Sequence, residues 1–316
     1  MSRILITPRS LTRDPDPALQ ALVDDGYELV FSRPGETPDE AALLELLPGC
    51  VGWIAGVEPV SPRVLEAAPG LRAISRNGTG SDNLPLETAE RLGIQVLRAG
   101  GANARGVAEL AIGLLLASLR HIPEQSAALK AGLWQRRLGI EIENRTLGLI
   151  GCGAVGRLVA RFALALDARV RVFDPYPDAS FAPAGDFAWM AFEQVLADAE
   201  MLSLHCPMPP DGRLVLDAAT IGRLRVGCHV VNTARAALVD EAAMLAALER
   251  DQVRTYATDV FAAEPPEPSP LLAHPRVIVT PHIGGLTTES VRRASVAAVE
   301  NLRRALDALL GSGRVG

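Results

Sequence analysis

The chain has 316 residues, of which 31 are Lys or Arg and 37 are Asp or Glu, so its formal net charge is -6. A single hydrophobic core rarely grows beyond about 250–300 residues, so this length predicts two domains. A nucleic-acid partner is not expected, because proteins of that class usually carry a strongly basic surface.

The cysteine pattern and the apolar runs limit where the protein works. The chain has four widely spaced cysteines, with no Cys-x-x-Cys pair that would indicate a zinc site. Scattered thiols in a chain of this length are typical of a reducing compartment. The N-terminal apolar run is too short for a signal peptide, and the apolar stretch at 107–119 is too short for a membrane span. We therefore expect a cytoplasmic protein with no bound metal and no membrane partner.

The first hundred residues alternate short apolar runs with helical patterns. Strands are predicted at 4–6, 27–31, 51–55 and 71–75, and helices at 18–24, 40–47 and 61–68. Strands that alternate with helices predict parallel βαβ units.

A second α/β block begins near Ala102. Its long helix, at 106–120, has few charges, which predicts burial on most sides. Further strands are predicted at 146–150, 169–173, 201–205, 229–232, 255–259 and 277–280, and a last helix at 289–310. The fold class predicted for the whole chain is therefore α/β with parallel sheets.

A glycine motif, Gly151-Cys-Gly153-Ala-Val-Gly156, lies between a predicted strand and a predicted helix. In this context the first glycine permits a tight turn, the second lets a pyrophosphate approach the backbone, and the third lets helix and strand pack closely. Asp174 ends the next strand, 21 residues after Gly153. Its carboxylate would accept hydrogen bonds from ribose hydroxyls and repel a 2′-phosphate. The motif therefore predicts NAD as the cofactor, in preference to NADP.

Arg235, Glu264 and His282 each follow a predicted strand, near the sheet edge where open α/β sheets bind ligands. A guanidinium offers a rigid fork of donors for a carboxylate and a carbonyl oxygen. A histidine can give a proton to that oxygen as hydride arrives, and a neighbouring carboxylate would hold its ring and favour its charged form. Taken singly, each residue also fits an ordinary structural role. Together, behind a dinucleotide motif, they predict interconversion of a small 2-hydroxy acid and its 2-keto acid.

These motifs give the chain a resemblance to the D-isomer-specific 2-hydroxyacid dehydrogenases over nearly its whole length. The segments that carry it are 76–83, 106–109, the glycine motif, 232–235, 259–265 and 281–285. The resemblance implies two Rossmann-like or flavodoxin-like parallel-sheet domains with a cleft between them. Residues 1–100 and 287–316 would form a discontinuous substrate domain, and residues 101–286 the NAD-binding Rossmann domain.

The resemblance also implies roles for individual residues. Arg235 would grip the substrate, Glu264 would partner His282, and His282 would be the acid and base. The backbone N–H groups that would receive the substrate carboxylate are those of Asn77, Gly78 and Thr79. The residues implied to contact NAD are Gly151, Gly153, Ala154, Val155, Gly156, Asp174, His205, Cys206, Thr233, Ala234, Asp259, His282, Gly284 and Gly285. Members of the family are usually homodimers held through the long helix after Ala102.

The substrate stays open at this stage. Segments 76–80 and 282–287 resemble those of 3-phosphoglycerate dehydrogenases, but the loop at 54–58 lacks an arginine that would hold a phosphate. It carries Glu58 instead, which would repel a dianion. Hydroxypyruvate, glyoxylate and sulfonated or bulkier acids are alternatives. So are two other functions of the same fold: an NADH-sensing corepressor, and an NAD-dependent enzyme acting on another small anion.

Overall fold

A computed structural model describes residues 2–209 and 211–312. Contacts between Cα atoms divide the chain into two compact units. We call the first the terminal unit, because it joins the residues up to Asn103 with those from Thr287 onward. The second, Ala104–Leu286, is called the central unit.

Helices and strands alternate along both units. The terminal unit contains β1 (Arg3–Ile6), α1 (Arg9–Arg13), α2 (Gln20–Asp24), β2 (Glu28–Phe31), α3 (Glu40–Leu46), β3 (Cys50–Ala55), α4 (Pro62–Glu66), β4 (Ala73–Arg76), α5 (Leu86–Arg91) and β5 (Gln95–Arg98). The central unit contains α6 (Ala104–Leu119), α7 (Ile122–Lys130), β6 (Thr146–Ile150), α8 (Ala154–Ala165), β7 (Arg169–Phe173), β8 (Phe187–Trp189), α9 (Phe192–Asp198), β9 (Met201–Leu204), α10 (Ala218–Ile221), β10 (Cys228–Asn232), α11 (Glu241–Glu249), β11 (Val253–Thr258) and β12 (Val277–Val279). The last helix, α12 (Thr288–Ser312), returns to the terminal unit.

The terminal unit is built on a parallel sheet of five strands in the order β2-β1-β3-β4-β5. Helix α12 packs against β3, β4 and β5. Gly52 permits this close approach, since a Cβ atom there would lie 3.2 Å from the Leu302 side chain. Leu302 is fully buried in the same apolar cluster as Ile4, Ile6 and Ile54. The C-terminal helix thus completes the core that the N-terminal strands begin.

The central unit is built on a parallel sheet of seven strands in the order β12-β11-β10-β9-β6-β7-β8. Its strand β6 is buried at every residue. Gly148 in β6 lets α9 lie close to the sheet, because a Cβ atom there would be 2.8 Å from the Val195 side chain. Helices α6 and α8 pack on each other, and α6 also covers β10 and β11. The apolar helix predicted after Ala102 is therefore a core element.

The sequence prediction contains neither β5 nor β8. Strand β8 has three residues at the edge of its sheet, and β5 has a polar residue at each end, so neither offers the apolar run that marks a buried strand. The strand predicted at 255–259 begins two residues earlier, at Val253, and ends at Thr258. Pairing with the neighbouring strand sets these ends, since Val253 is the register partner of Cys228 and Thr258 that of Asn232.

Membrane-spanning segments and metal clusters were also sought within 2–209 and 211–312. In this part of the chain no single helix is long and apolar enough to cross a membrane. Helices α6 and α7 pass that test only as a pair, and they are bent by 64° at the break between them. The same residues hold no group of three or more His, Cys, Asp or Glu side chains that could bind a metal ion.

Candidate active site

One edge of the central sheet carries most of the residues that the sequence singles out. Six neighbouring strands end there, because all the strands are parallel. In sheet order, the residues that follow them are His282 after β12, Asp259 and Glu264 after β11, Thr233 to Arg235 after β10, His205 and Cys206 after β9, Gly151 to Gly156 after β6, and Asp174 after β7. The carboxyl edge of a parallel sheet is where α/β proteins bind ligands.

His282 and Glu264 form a hydrogen-bonded pair. The Nδ1 atom of His282 lies 2.7 Å and 2.8 Å from the two carboxylate oxygens of Glu264. A carboxylate can only accept, so Nδ1 carries the hydrogen and Nε2 is left to exchange a proton with a ligand. The side chains are 53% and 41% exposed, which leaves the pair accessible to a small molecule.

The backbone at His282 is held in an unusual conformation. Its φ is +52°, in the left-handed region that residues other than glycine rarely adopt. Asp259, which is almost fully buried, holds this loop: Oδ1 accepts the Thr280 hydroxyl at 2.6 Å and the Ile283 N–H at 2.8 Å. Its Oδ2 accepts the Gly284 N–H at 2.8 Å. Asp259 therefore fixes the position of His282, a contribution that the sequence prediction, which placed it beside the cofactor, does not include.

Arg235 is presented by a turn that Asn232 closes. The buried Asn232 side chain accepts the Ala234 N–H at 3.0 Å and donates to the Arg235 carbonyl at 2.8 Å. Arg235 is half-buried, and its Nη1 donates to the Ala234 carbonyl at 2.8 Å. The turn fixes the backbone from which the guanidinium extends.

Two residues that shape this edge, Asn232 and Thr280, are missing from the sequence prediction. An Asn at a strand end is typical of a turn in which the side chain binds the backbone two residues later, so Asn232 carried a signal. Thr280 carried none, because its partner Asp259 lies 21 residues earlier.

The glycine motif forms a tight turn between β6 and α8, which we call the cradle. A Cβ atom on Gly151 would lie 2.6 Å from the His205 carbonyl oxygen, and one on Gly156 would collide with the Gly151 carbonyl oxygen. Gly153 is exposed and has no neighbouring atom within 4 Å of a Cβ position. Ala154 and Val155 begin α8 directly after Gly153, and the first N–H groups of a helix have no partner within the helix. An open backbone at a helix N-terminus suits a pyrophosphate.

Asp174 lies beside this cradle. Its Oδ2 accepts the Cys152 N–H at 2.8 Å and its Oδ1 accepts the Tyr176 N–H at 2.9 Å. Each oxygen keeps a second lone pair for a ribose hydroxyl. Thr233 adds an independent sign of a polar ligand, because its buried Oγ1 has no hydrogen-bond partner among the described residues. The donors and acceptors present thus fit a dinucleotide.

Burial controls the ionisation of the side chains around the cradle. It lowers the pKa of His205 to about 3, so this ring is neutral at physiological pH and bonds the Ser203 hydroxyl at 2.8 Å. Burial also raises the pKa of Cys206 and that of Cys152 to about 11. These three side chains are therefore uncharged at physiological pH.

The predicted carboxylate loop lies in the terminal unit, directly after β4. Gly78 has a φ of +153°, and the Arg76 Nη1 donates to the Asn77 carbonyl at 2.8 Å. The Thr79 hydroxyl donates to the Asn103 side chain at 3.0 Å. Hydrogen bonds within the terminal unit thus hold this loop in place. Its backbone conformation at Gly78 is one that a residue with a side chain rarely adopts.

Comparisons with known proteins identify the family to which the chain is similar. Residues 112–284 match the family model described as the NAD-binding domain of D-isomer specific 2-hydroxyacid dehydrogenases. The chain is 37% identical to D-3-phosphoglycerate dehydrogenase of Mycobacterium leprae over 272 residues, which are 85% of this chain and 52% of that protein. It therefore spans about half the length of that relative. It is 35% identical to the hydroxypyruvate reductase of Thermotoga maritima over 78% of this chain and 81% of that protein.

The solved structures include matches to nearly the whole chain. The TT0316 protein from Thermus thermophilus superposes with a TM-score of 0.87 at 34% identity, covering 97% of each chain. The cofactor of the central unit is NAD, as the Asp174 pattern predicts. With the matched family model spanning more than half of its residues, the chain belongs to the D-isomer-specific 2-hydroxyacid dehydrogenases.

Proposed function

We propose that the chain is an NAD-dependent oxidoreductase that interconverts a small 2-hydroxy acid and its 2-keto acid. The observation that supports this most is the Glu264–His282 pair, which leaves Nε2 of the histidine for a substrate oxygen. The pair lies at the same edge of the central sheet as the dinucleotide cradle. The names of the relatives, D-3-phosphoglycerate dehydrogenase and hydroxypyruvate reductase, agree with this reaction class.

In the proposed mechanism the protein moves the proton. The Gly151 to Gly156 cradle and Asp174 would hold NADH, which would supply the hydride for the keto carbon. His282 gives the proton on Nε2 to the carbonyl oxygen, while Glu264 keeps the ring oriented through Nδ1 and stabilises its charged form. Arg235 holds the substrate carboxylate and polarises the carbonyl with its donor fork. Oxidation of the hydroxy acid reverses each step.

The direct test is a panel of 2-keto acids with NADH, followed by the loss of the absorbance of the reduced nicotinamide. Pyruvate, hydroxypyruvate, glyoxylate and larger 2-keto acids cover the substrate class. We expect at least one to be reduced with saturation kinetics, and the matching D-hydroxy acid to reduce NAD. If NADH binds but no member of the panel oxidises it, the proposed activity is wrong.

Asp174 should make the enzyme prefer NADH to NADPH. Each hydrogen bond to a charged acceptor contributes about 1.5–3 kcal/mol, and a 2′-phosphate would face a like charge. We expect kcat/KM with NADH to exceed that with NADPH by about 10-fold or more, and Asp174→Ala to reduce this preference. Asp186→Ala removes an exposed carboxylate elsewhere in the central unit and should leave the preference unchanged. Equal use of both cofactors by the unaltered protein would contradict this role.

We also propose a homodimer in the cytoplasm. Leu138 is 95% exposed and Trp134 is 80% exposed, although the segment that carries them is tied to α7. The Arg137 N–H donates to the Gln125 side chain at 3.0 Å and its guanidinium to Glu124 at 3.0 Å. Fixed, exposed apolar side chains suit a second copy of the chain. Sedimentation should give twice the 33.5 kDa chain mass, and a monomer at micromolar concentration would contradict this proposal.

The four free cysteines suit a reducing compartment, which cell fractionation would check.

A further inference from the structure

The loop at 174–181, which follows β7, carries Asp174 beside the cradle. At its start, the Asp174 Oδ2 accepts the Cys152 N–H at 2.8 Å. At its end, Phe181 is 6% exposed and belongs to a buried apolar cluster of the central unit. The position of the Asp174 carboxylate relative to the cradle therefore depends on what holds this loop.

Asp178 closes a turn within the same loop. Its Oδ1 accepts the Ser180 N–H at 2.9 Å and the Ser180 hydroxyl at 2.6 Å, and its carbonyl accepts the Phe181 N–H at 2.9 Å. Hydrogen bonds from Ser180 and from the Arg157 guanidinium lower the pKa of Asp178, so this carboxylate is charged at neutral pH. The turn thus presents a fixed negative charge to α8.

Arg157, in the first turn of α8, joins this loop to the cradle. Its Nη2 donates to the Asp178 Oδ2 at 2.7 Å, and its Nε donates to the Cys152 carbonyl at 3.1 Å. The same guanidinium lies 5.2 Å from the centre of the Phe181 ring. Cys152 is also the residue whose N–H binds Asp174. One side chain therefore bonds both the cradle and the turn that follows Asp174.

We propose that Arg157 is a positioning residue for the cofactor, which holds Asp174 where its oxygens meet the hydroxyls of the adenosine ribose. This inference goes beyond the proposed function, because it concerns cofactor binding and not the reaction. The side chains of Arg157 and Asp178 are 39% and 37% exposed, and ion pairs this exposed add little to the stability of a fold. A hydrogen bond to a ribose hydroxyl, in contrast, is lost when the carboxylate moves by about 1 Å.

Cofactor binding without substrate tests this role. Arg157→Met keeps an apolar stem but removes both donors. We expect the Kd of NADH, from a fluorescence titration, to rise about 10-fold, as for the loss of one hydrogen bond to a charged group. The Kd of ADP-ribose should rise by the same factor, since the adenosine half is affected. Arg161→Met is the matched control, because it removes the other guanidinium over the Phe181 ring, at 5.5 Å, and should leave both Kd values unchanged.

A double-mutant cycle shows whether Arg157 acts through Asp174. In Asp174→Ala, the further change Arg157→Met should alter the Kd of NADH by less than about 2-fold, because the carboxylate that Arg157 positions is gone. Asp178→Asn keeps the shape of the turn and should give the same pattern.

Melting temperatures show whether each variant is folded, and Asp178→Asn carries the cycle if Arg157→Met does not fold. A merely structural role would lower the melting temperature and raise the Kd by the same factor with and without Asp174. That result, or an unchanged Kd in a folded Arg157→Met, overturns the proposal. Neither outcome bears on the proposed reaction, since no substrate is present.

Discussion

Replacement of His282 by alanine is expected to lower kcat for keto-acid reduction by about 10²–10⁴-fold, the usual contribution of general acid catalysis. The His282→Ala variant should bind NADH normally, because the glycine cradle and Asp174 follow other strands of the sheet. His274→Ala is a suitable control, since that histidine precedes β12 at the opposite edge of the sheet. A His282→Ala variant with near-normal kcat and intact NADH binding would refute the mechanism.

The pH dependence of the same reaction checks the direction of proton transfer. Reduction needs the protonated ring, so its rate should fall as the pH rises. Oxidation needs the neutral ring, so its rate should rise. Glu264→Gln keeps an acceptor for Nδ1 but removes the negative charge beside the ring, so kcat should fall by less than in His282→Ala. An unchanged kcat in Glu264→Gln would show that the charge of the carboxylate has no part in the reaction.

Replacement of Arg235 by lysine is expected to lower kcat/KM by about 10²-fold or more. An ammonium cannot reproduce two parallel donors, and each hydrogen bond between charged groups contributes about 1.5–3 kcal/mol. The decrease in kcat/KM should be seen with every 2-keto acid that is a substrate, because all of them carry the carboxylate. Arg254→Lys, an exposed arginine on β11, is the matched control. Near-normal kcat/KM in Arg235→Lys would show that the guanidinium does not hold the substrate.

Much of the fold follows from local patterns. Strand β6 and the Gly151 turn combine a buried apolar run with a glycine spacing, and both signals lie within one short segment of the chain. Strand β8 has only three half-buried residues, and it is defined by its pairing with β7, which lies outside its own short segment. Such edge strands are specified by partners, which a local pattern does not contain.

The candidate site also contains parts that the sequence could predict and parts that it could not. Arg235, Glu264 and His282 could be identified from the sequence because each follows a predicted strand. The contact between Glu264 and His282 could not, since 18 residues separate two side chains that lie 2.7 Å apart. The sequence interpretation left Glu58 facing the substrate. The structure buries it, and its Oε1 accepts from both the Gly56 N–H and the Thr7 hydroxyl. Carboxylates are seldom fully buried unless they are paired in this way.

The state of the thiols has a practical consequence for spectroscopy. Cys50, Cys152 and Cys228 are buried, and burial raises the pKa of Cys206 to about 11. Maleimides react with thiolates, so the native cysteines should be slow to label in the folded protein. A single cysteine introduced at Tyr176, which is 88% exposed beside Asp174, would then accept a fluorophore without removal of any native thiol. The natural chain is in effect already a cysteine-silent background for following cofactor binding by fluorescence.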